Sequence, residues 1–242
     1  MELNEHRQGM WQGRHLQVNI LYSRAGVGQQ IWIENDIGAV LIDCADGVLR
    51  DILQQDKDLS QLSAICISHG HFDHMGGLRT LLGFIRMIGR DETLPIFAPE
   101  GCVEVFSTIS NFMHNYPDSI PFKIDCRGLQ PNETVVVADM EITGFPVVHC
   151  GSTKVGGIGD PIPAMGYKIS YKGETIAITG DAGKRSQLEN LVSGVDLAII
   201  EATYGSVSDV TAELIDRVHL TEDIAHDLGS KAKEYFLIHR VK

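Results

Sequence analysis

The segment from residue 64 to residue 77 holds a dense group of potential metal ligands. A run of apolar residues ends there, and three histidines and one aspartate follow within six residues: His69, His71, Asp73 and His74. Each imidazole keeps a polar nitrogen that an apolar core could not satisfy. Residues two apart in an extended turn point the same way, so His69 and His71 can share one ion while Asp73 and His74 reach a second one. A polar loop with hydrogen-bonded histidines is the plainer alternative.

Three further residues that could bind metal each follow a predicted strand. His149 ends the run 145–149, Asp181 comes directly after the run 175–179, and His239 lies just past the run 235–238. Taken singly, a histidine at a strand end is more often a structural residue, and an aspartate beside glycine is usually a turn former. Their shared position at strand ends favours one site, because open α/β proteins place their sites there.

The H-x-H-x-D-H pattern after a strand resembles the metallo-β-lactamase superfamily, and the later residues extend the resemblance over essentially the whole chain. The resemblance implies an α/β fold, a four-layer αββα sandwich, and a dinuclear site. The matching positions assign two groups of ligands and one bridge: His69, His71 and His149 on one ion, Asp73, His74 and His239 on the other, and Asp181 between them.

Two divalent ions in such a site can share a bridging water and lower its pKa from 15.7 to roughly 7, so that hydroxide is available at neutral pH. Histidine-rich ligation with a bridging carboxylate suits zinc, with manganese or iron as alternatives, because affinity order alone does not decide occupancy. The di-iron, oxygen-reducing branch of the family carries a glutamate at the position of His71. The histidine found here therefore disfavours redox chemistry.

Two later segments resemble the ribonuclease Z branch of the family. That branch carries a glutamate in an E-A-T element and a histidine in an H-x-T element, which here are Glu201 and His219. The resemblance implies that this pair protonates the leaving oxygen, as an alkoxide leaving group requires. Together with Asp73, these are the predicted catalytic residues. The predicted reaction is phosphodiester hydrolysis by a metal-bridging hydroxide.

One departure from ribonuclease Z concerns the substrate. Members that mature tRNA insert a protruding arm between the positions matching His149 and Asp181, which here lie only 32 positions apart. That span accommodates a loop at 150–164 and two strands, but no arm. A net charge of −12, from 20 basic and 32 acidic residues, also opposes binding of long nucleic acids. The expected substrate is a small or short phosphodiester, such as a cyclic nucleotide or an RNA end.

Other functions could use the same residues. A thioesterase, lactonase or lactamase would direct the same hydroxide at a carbonyl carbon without needing Glu201 beside His219. A non-catalytic, metal-bound interaction module would bind metal without turnover. The glycine-rich stretch 151–160 matches neither the P-loop nor the dinucleotide pattern, so a flexible rim is expected there. His114 is expected in a surface loop.

Hydrophobic periodicity predicts two helix-covered sheets in one domain over residues 1–242. Strands are predicted at 16–22, 30–34, 38–43, 64–68, 122–126, 134–139, 141–148, 166–171, 175–179, 196–201 and 235–238. Helices are predicted at 47–55, 77–88, 101–112, 184–191 and 220–232. No apolar run approaches the roughly 20 residues of a bilayer span, and no signal pattern opens the chain, so a cytoplasmic protein is expected. Five cysteines without a C-x-x-C pair are expected to be buried and reduced, and a homodimer is left open.

Overall fold

The computed structural model describes residues 9–208 and 210–241; the predicted single domain also includes residues 1–8, 209 and 242, which lie outside the described part. The strands are β1 Met10–Gln12, β2 Gln17–Arg24, β3 Gly28–Glu34, β4 Ala39–Ile42, β5 Leu62–Cys66, β6 Leu94–Pro99, β7 Ile124–Leu129, β8 Thr134–Val137, β9 Met140–Pro146, β10 Cys150–Ser152, β11 Ile158–Pro161, β12 Met165–Tyr171, β13 Glu174–Ile178, β14 Leu197–Glu201 and β15 Glu234–Ile238. The helices are α1 Val48–Gln54, α2 Phe72–Met75, α3 Leu78–Met87, α4 Val103–Asn115, α5 Glu189–Val192, α6 Ala212–Arg217 and α7 Glu222–Gly229.

Two large sheets form the centre of the fold, and each changes from antiparallel to parallel pairing. The first sheet has the order β1-β2-β3-β4-β5-β6-β7, with antiparallel pairs as far as β4 and parallel pairs beyond it. The second has the order β15-β14-β13-β12-β9-β8, with antiparallel pairs between β8 and β13 and parallel pairs between β13 and β15. Short turns join most antiparallel neighbours, the exception being β9 and β12, which are joined through β10 and β11, whereas parallel neighbours require longer, mostly helical crossovers.

The layers follow from the alternation of side chains along the strands. Ile31 and Ile33 of β3 point into the apolar core between the two sheets, which also contains Ile199 of β14. Trp32, the residue between them, points the other way, into a second core that α1, α3 and α4 cover. A third core lies between the second sheet and the helices α5 and α7. The order helix, sheet, sheet, helix confirms the predicted αββα sandwich.

Helix α3 illustrates how sequence spacing builds the outer layer. Its buried residues are Leu78, Leu81, Leu82 and Ile85, which recur at the three- and four-residue spacing of one helix face. Burying a leucine or isoleucine side chain contributes about 1.5–3 kcal/mol each, so this face suffices to fix the helix on the sheet. None of the helices in the described residues is both long and apolar enough to cross a bilayer.

The two sheets are tied together below one edge of the sandwich. The hydroxyl of Tyr167 in β12 donates to the carbonyl of Ile67, which directly follows β5, at 2.7 Å. The backbone N–H of Met165 donates to the carbonyl of Ser68 at 2.9 Å. The start of β12 pairs with the ends of β9 and β13, and β14 and β15 run parallel to β13, so the carboxyl ends of β5, β9, β13, β14 and β15 lie at this edge.

Several local predictions are wrong. Strand β6 is absent from the predicted strands, and its Pro95 and Pro99 are unusual residues for a central strand. The predicted helix 184–191 is interrupted at Gln187, whose φ of +53° ends a 3₁₀ turn at Lys184–Ser186 before α5 begins. Helix α6 was also missed, and α7 begins at Glu222, two residues after the predicted start of its segment, because Thr221 is its N-cap.

Candidate metal centre

All seven predicted metal ligands lie together at the edge where the sheets are tied. The loop after β5 and helix α2 supply four of them, and three other strand ends supply one each: His69, His71, Asp73 and His74 from the former, His149 after β9, Asp181 after β13 and His239 after β15. Six are buried, and His71 is half-buried. Residues far apart in sequence are therefore brought together by the common direction of these strands.

One cluster consists of three imidazoles. Nε2 of His69 lies 2.9 Å from Nδ1 of His71, and Nε2 of His149 lies 3.2 Å from the same nitrogen. Oδ2 of Asp181 lies 3.8 Å from Nε2 of His69 and 4.0 Å from Nε2 of His149. Three nitrogens and one carboxylate oxygen thus converge as the ligands of a tetrahedral site do.

A second cluster lies on the other side of Asp181. Nε2 of His74 is 3.3 Å from Nε2 of His239, which in turn is 3.4 Å from Oδ2 of Asp73. The same Asp181 oxygen that faces the first cluster lies 3.3 Å from Nε2 of His74. Asp181 is therefore positioned to touch ions in both clusters. Asp73 also accepts a hydrogen bond from the backbone N–H of Gly26 at 2.9 Å.

The donor atoms of these residues are better satisfied by divalent metal ions than by hydrogen bonds to one another. Nε2 of His74 faces Nε2 of His239, and Nε2 of His69 faces Nδ1 of His71; at most one proton can lie between each pair of nitrogens. Oδ1 of Asp181 is buried and accepts no hydrogen bond. Buried polar atoms normally have partners. Cations between the facing nitrogens and beside the carboxylate would satisfy them, and imidazole with carboxylate suits zinc and related metals.

The electrostatics of the first cluster favour neutral imidazoles. Burial holds the pKa of His69 well below its ordinary value and lowers the pKa of His149 to about 4. Burial also lowers the pKa of the half-buried His71. A histidine must be unprotonated at the nitrogen that binds a metal. These three rings are therefore prepared to act as ligands without competition from protons.

The second cluster behaves differently because carboxylates surround it. Burial opposes charge on both His74 and Asp181, but the Asp181 and Asp43 carboxylates raise the pKa of His74 well above its ordinary value. His239 and His74 hold the pKa of Asp181 well below its usual range. Imidazole and carboxylate therefore stabilise each other's charged forms here, and a bound cation would take the place of the imidazolium proton.

Each buried imidazole has a separate partner for the ring nitrogen that faces away from the clusters. The partners of these outer nitrogens are Ser68 Oγ for His69 at 3.1 Å, Asp43 Oδ2 for His74 at 2.8 Å, the Val218 carbonyl for His149 at 2.8 Å and Thr203 Oγ1 for His239 at 3.0 Å. Such partners fix the tautomer and orientation of a ligating ring. The inner nitrogens are thereby left free for metal.

Sequence reasoning missed Asp43, the most connected of these partners. It is fully buried and accepts hydrogen bonds from Gln29 Nε2 at 2.9 Å, from the Ser68 backbone at 2.7 Å and from Ser68 Oγ at 3.0 Å, besides facing His74. The available signal was an aspartate directly after the buried run Ala39–Ile42. A buried carboxylate is costly unless it is hydrogen-bonded, so its position implied partners.

Glu201 and His219 lie beside the second cluster. Nδ1 of His219 is 3.1 Å from Oε1 of Glu201 and 3.9 Å from Oδ2 of Asp181. Burial alone would lower the pKa of His219, but the Glu201 and Asp181 carboxylates outweigh it and raise the pKa to about 9. Glu201 is fully buried at the end of β14, whereas 15% of the His219 side chain is exposed. The ring can therefore reach a molecule at the mouth of the site.

The segment between His149 and Asp181 contains a small hairpin and no protruding arm. Strands β10 and β11 pair antiparallel at the two ends of the stretch 151–160, and residues 153–157 form the turn between them. The guanidinium of Arg217 in α6 donates to the carbonyl of Gly159 at 2.9 Å and fixes the hairpin against the body of the protein. The remaining residues up to Asp181 form β12, β13 and their connections.

The other residues considered from sequence lie away from the clusters or serve the fold. His114 is exposed in the last turn of α4, so the predicted loop is wrong although the surface position is confirmed. The five cysteines are free; Cys126 is only half-buried, and the others are buried. Cys150 belongs to the hairpin strand β10.

The fold and the clustered ligands together place this chain in a family. The beta-lactamase superfamily domain matches residues 39–239, and the chain belongs to this superfamily. The matched range begins at β4 and ends at His239, so it includes every predicted ligand.

Several proteins similar to this chain in sequence are ribonucleases Z. A ribonuclease Z of Gloeothece citriformis is 30% identical over 249 residues, which covers 82% of this chain and 73% of the relative. A ribonuclease Z of Nostoc punctiforme is 30% identical over 135 residues, and this match spans only 38% of the relative's length. Among solved structures, human tRNase Z, short form, has a TM-score of 0.74 at 20% identity, with 92% of both chains covered. At 20% identity, the similarity to human tRNase Z shows a shared fold.

Proposed function

We propose that this protein is a dinuclear metal-dependent hydrolase that cleaves a small or short phosphodiester, such as a cyclic nucleotide or an RNA end. The observation that carries the proposal is the position of His219, whose Nδ1 lies 3.1 Å from Glu201 and 3.9 Å from Asp181. A proton donor held by a buried carboxylate stands beside the residues that would hold the ions. Similarity to ribonucleases Z supports the same reaction class.

In this proposal the two clusters hold one ion each. The ligands would be His69, His71 and His149 for the first ion and Asp73, His74 and His239 for the second, with Asp181 as the bridge. Bound divalent ions would supply the charge that activates water and neutralises the phosphate oxygens. Zinc is the proposed metal because imidazole dominates the ligand set.

The remaining chemistry belongs to side chains of this chain. Glu201 accepts from Nδ1 of His219, which orients the ring and stabilises its protonated form. The exposed part of the ring then donates a proton to the leaving oxygen of the ester. An alkoxide is a poor leaving group until it is protonated, so such a donor accelerates phosphodiester cleavage by about 10²–10⁴-fold.

The proposed substrate is small because of two features, the short segment between His149 and Asp181 and the acidic net charge. The short hairpin β10–β11 occupies the part of the chain where tRNA-maturing relatives are expected to carry an arm. The net charge of −12 repels a long phosphate backbone. A short phosphodiester contacts the ions directly and needs neither an arm nor a basic track.

A leaving-group comparison tests the proposal. Purified protein is loaded with zinc or manganese, its metal content is measured, and turnover is assayed on cyclic nucleotides, short RNA, bis-p-nitrophenyl phosphate, a thioester and a lactam. We expect two ions per chain and turnover of phosphodiesters. His219→Ala should lose about 10²–10⁴-fold in kcat on cyclic nucleotides or RNA, and much less on the aryl ester, whose leaving group departs without protonation.

His226→Ala is the matched control, because His226 lies on α7 bonded to Tyr235, outside the clusters. It should leave metal content and turnover unchanged. Turnover of the thioester or lactam without phosphodiester turnover would contradict the proposal and point to carbonyl chemistry. Two bound ions with no turnover on the panel would point to a non-catalytic module.

A further inference from the structure

We propose that Thr203 is a positioning residue that joins the proton-donor pair to the second metal cluster. Its hydroxyl accepts a hydrogen bond from Nδ1 of His239 and donates one to Oε2 of Glu201. The significance of this link for catalysis rests on the proposed function, but the link itself is a property of the folded protein and can be tested without a substrate.

The geometry places one hydroxyl between two functional groups. Oγ1 of Thr203 lies 3.0 Å from Nδ1 of His239 and 2.9 Å from Oε2 of Glu201. The backbone N–H of Thr203 donates to the same Glu201 oxygen at 3.0 Å. All three residues are buried, so bulk water does not replace these bonds.

Counting protons fixes the direction of the bonds. A hydroxyl has one proton to donate, whereas a carboxylate only accepts, so the Thr203 proton goes to Glu201. The carbonyl of His239, 3.1 Å from Oγ1, is a competing acceptor, but a carboxylate at shorter distance forms the stronger bond. In either case Oγ1 has no proton left for His239. Nδ1 of His239 must therefore carry the proton, and Nε2 is left for metal.

The same hydroxyl also completes the support of Glu201. Oε1 accepts from the backbone N–H groups of Ala182 at 3.2 Å and Leu220 at 3.0 Å and faces His219 at 3.1 Å. Oε2 depends on Thr203 alone for its hydrogen bonds. Removing the hydroxyl halves the donors at Oε2 and takes away the 3.0 Å partner of Nδ1 of His239, which leaves Oδ1 of Asp181, at 3.4 Å, as its remaining polar neighbour. Both the orientation of the proton donor and the affinity for the second ion are then affected.

The first test needs no variant. In zinc-loaded wild-type protein, nitrogen-15 NMR of the histidine rings should show His239 protonated at Nδ1 and bound to zinc through Nε2. The second test is Thr203→Val, which keeps the shape and removes the hydroxyl. Competition against a chromophoric chelator should show that the second zinc binds about 10–100-fold more weakly, as is typical when a partner of a ligating histidine is lost. Thr203→Ser should retain wild-type affinity.

Thr175→Val is the matched control, because it removes a hydroxyl that binds Asp196 far from the ligands. It should leave both zinc affinities unchanged. Wild-type protein with His239 unprotonated at Nδ1, wild-type affinity in Thr203→Val, or failure of Thr203→Ser to retain affinity would each overturn the proposal. If the wild type turns over no phosphodiester, the proposed function fails, while the NMR and zinc measurements still decide the role of Thr203.

Discussion

Strand β13 has a buried carboxylate near each end, and the two have opposite surroundings. Glu174 begins the strand, and Asp181 follows its end; each is 2% exposed. Glu174 accepts hydrogen bonds from three successive backbone N–H groups, those of Arg14, His15 and Leu16, at 2.7–2.9 Å. Asp181 is surrounded by imidazoles, and its Oδ1 accepts no hydrogen bond.

The difference distinguishes Glu174, which stabilises the fold, from Asp181, which retains an unused hydrogen-bond acceptor. Backbone donors satisfy both carboxylate oxygens of Glu174 within the protein, so this carboxylate fixes the segment before β2. Asp181 is equally buried, yet the protein leaves part of its bonding capacity open. Burial of a charge therefore does not identify a functional residue, whereas burial with incomplete partners does. Four substitutions sharpen this contrast.

Asp181→Asn should have the largest effect. The amide keeps the shape but removes the charge shared by the two clusters, so we expect fewer than two ions per chain by elemental analysis. Metal charge stabilisation amounts to several kcal/mol, so kcat on a phosphodiester should fall by at least about 10³-fold. Two tightly bound ions and wild-type kcat in this variant would remove Asp181 from the site.

Glu174→Gln is the matched change at the other end of the strand. The amide retains one acceptor oxygen and presents N–H groups to backbone N–H donors, so a charged hydrogen-bond network is lost. Because hydrogen bonds to charged groups contribute about 1.5–3 kcal/mol each, the free energy of unfolding in urea should fall by about 2–4 kcal/mol. Metal content and kcat should not change. A loss of metal in Glu174→Gln would show that Glu174, like Asp181, supports metal binding.

Asp43→Asn should have an intermediate effect on metal binding. Asp43 binds the outer nitrogen of His74 at 2.8 Å, and an amide supports the ring less well than a carboxylate. We expect an affinity for the second zinc about 10–100-fold lower by chelator competition, with ions still bound at saturation. Unchanged affinity would show that Ser68 or another neighbour is sufficient to orient the ring.

Thr175→Val should have the smallest effect. The Thr175 hydroxyl donates to Asp196 at 3.2 Å, and the Thr175 backbone N–H, which the variant keeps, donates to the same oxygen at 2.8 Å. The free energy of unfolding should decrease by about 0.5–1.5 kcal/mol, the usual contribution of one hydrogen bond. A decrease in the free energy of unfolding larger than that of Glu174→Gln would mean that the contact with Asp196 stabilises β13 more than the hydrogen bonds of Glu174 do.

The clustering of the seven candidate ligands could be predicted because their residue types are chemically restricted and their order follows the strands. The residues that hydrogen-bond to the outer nitrogens of these imidazoles could not be predicted. Asp43 and Thr203 are residue types common in turns, and their roles depend on where the outer nitrogens of His74 and His239 point in space. Strand β6 was missed because two prolines mask it, and the pairing of β10 with β11 was missed because glycines weaken the strand signal. Local propensity was overridden in these places by neighbouring strands.

Three strands end at the metal centre with a residue in the left-handed backbone region: Asp43 after β4, Gly180 after β13 and His239 after β15, with φ of +60°, +59° and +55°. Aspartate, asparagine, histidine and glycine are the residues that tolerate this conformation best. The residue types that suit the metal centre and those that tolerate the left-handed backbone at these strand ends therefore overlap. A saturation scan should rank valine and isoleucine below asparagine at positions 43 and 239, because β-branched substitutions damage the corner as well as removing the functional group.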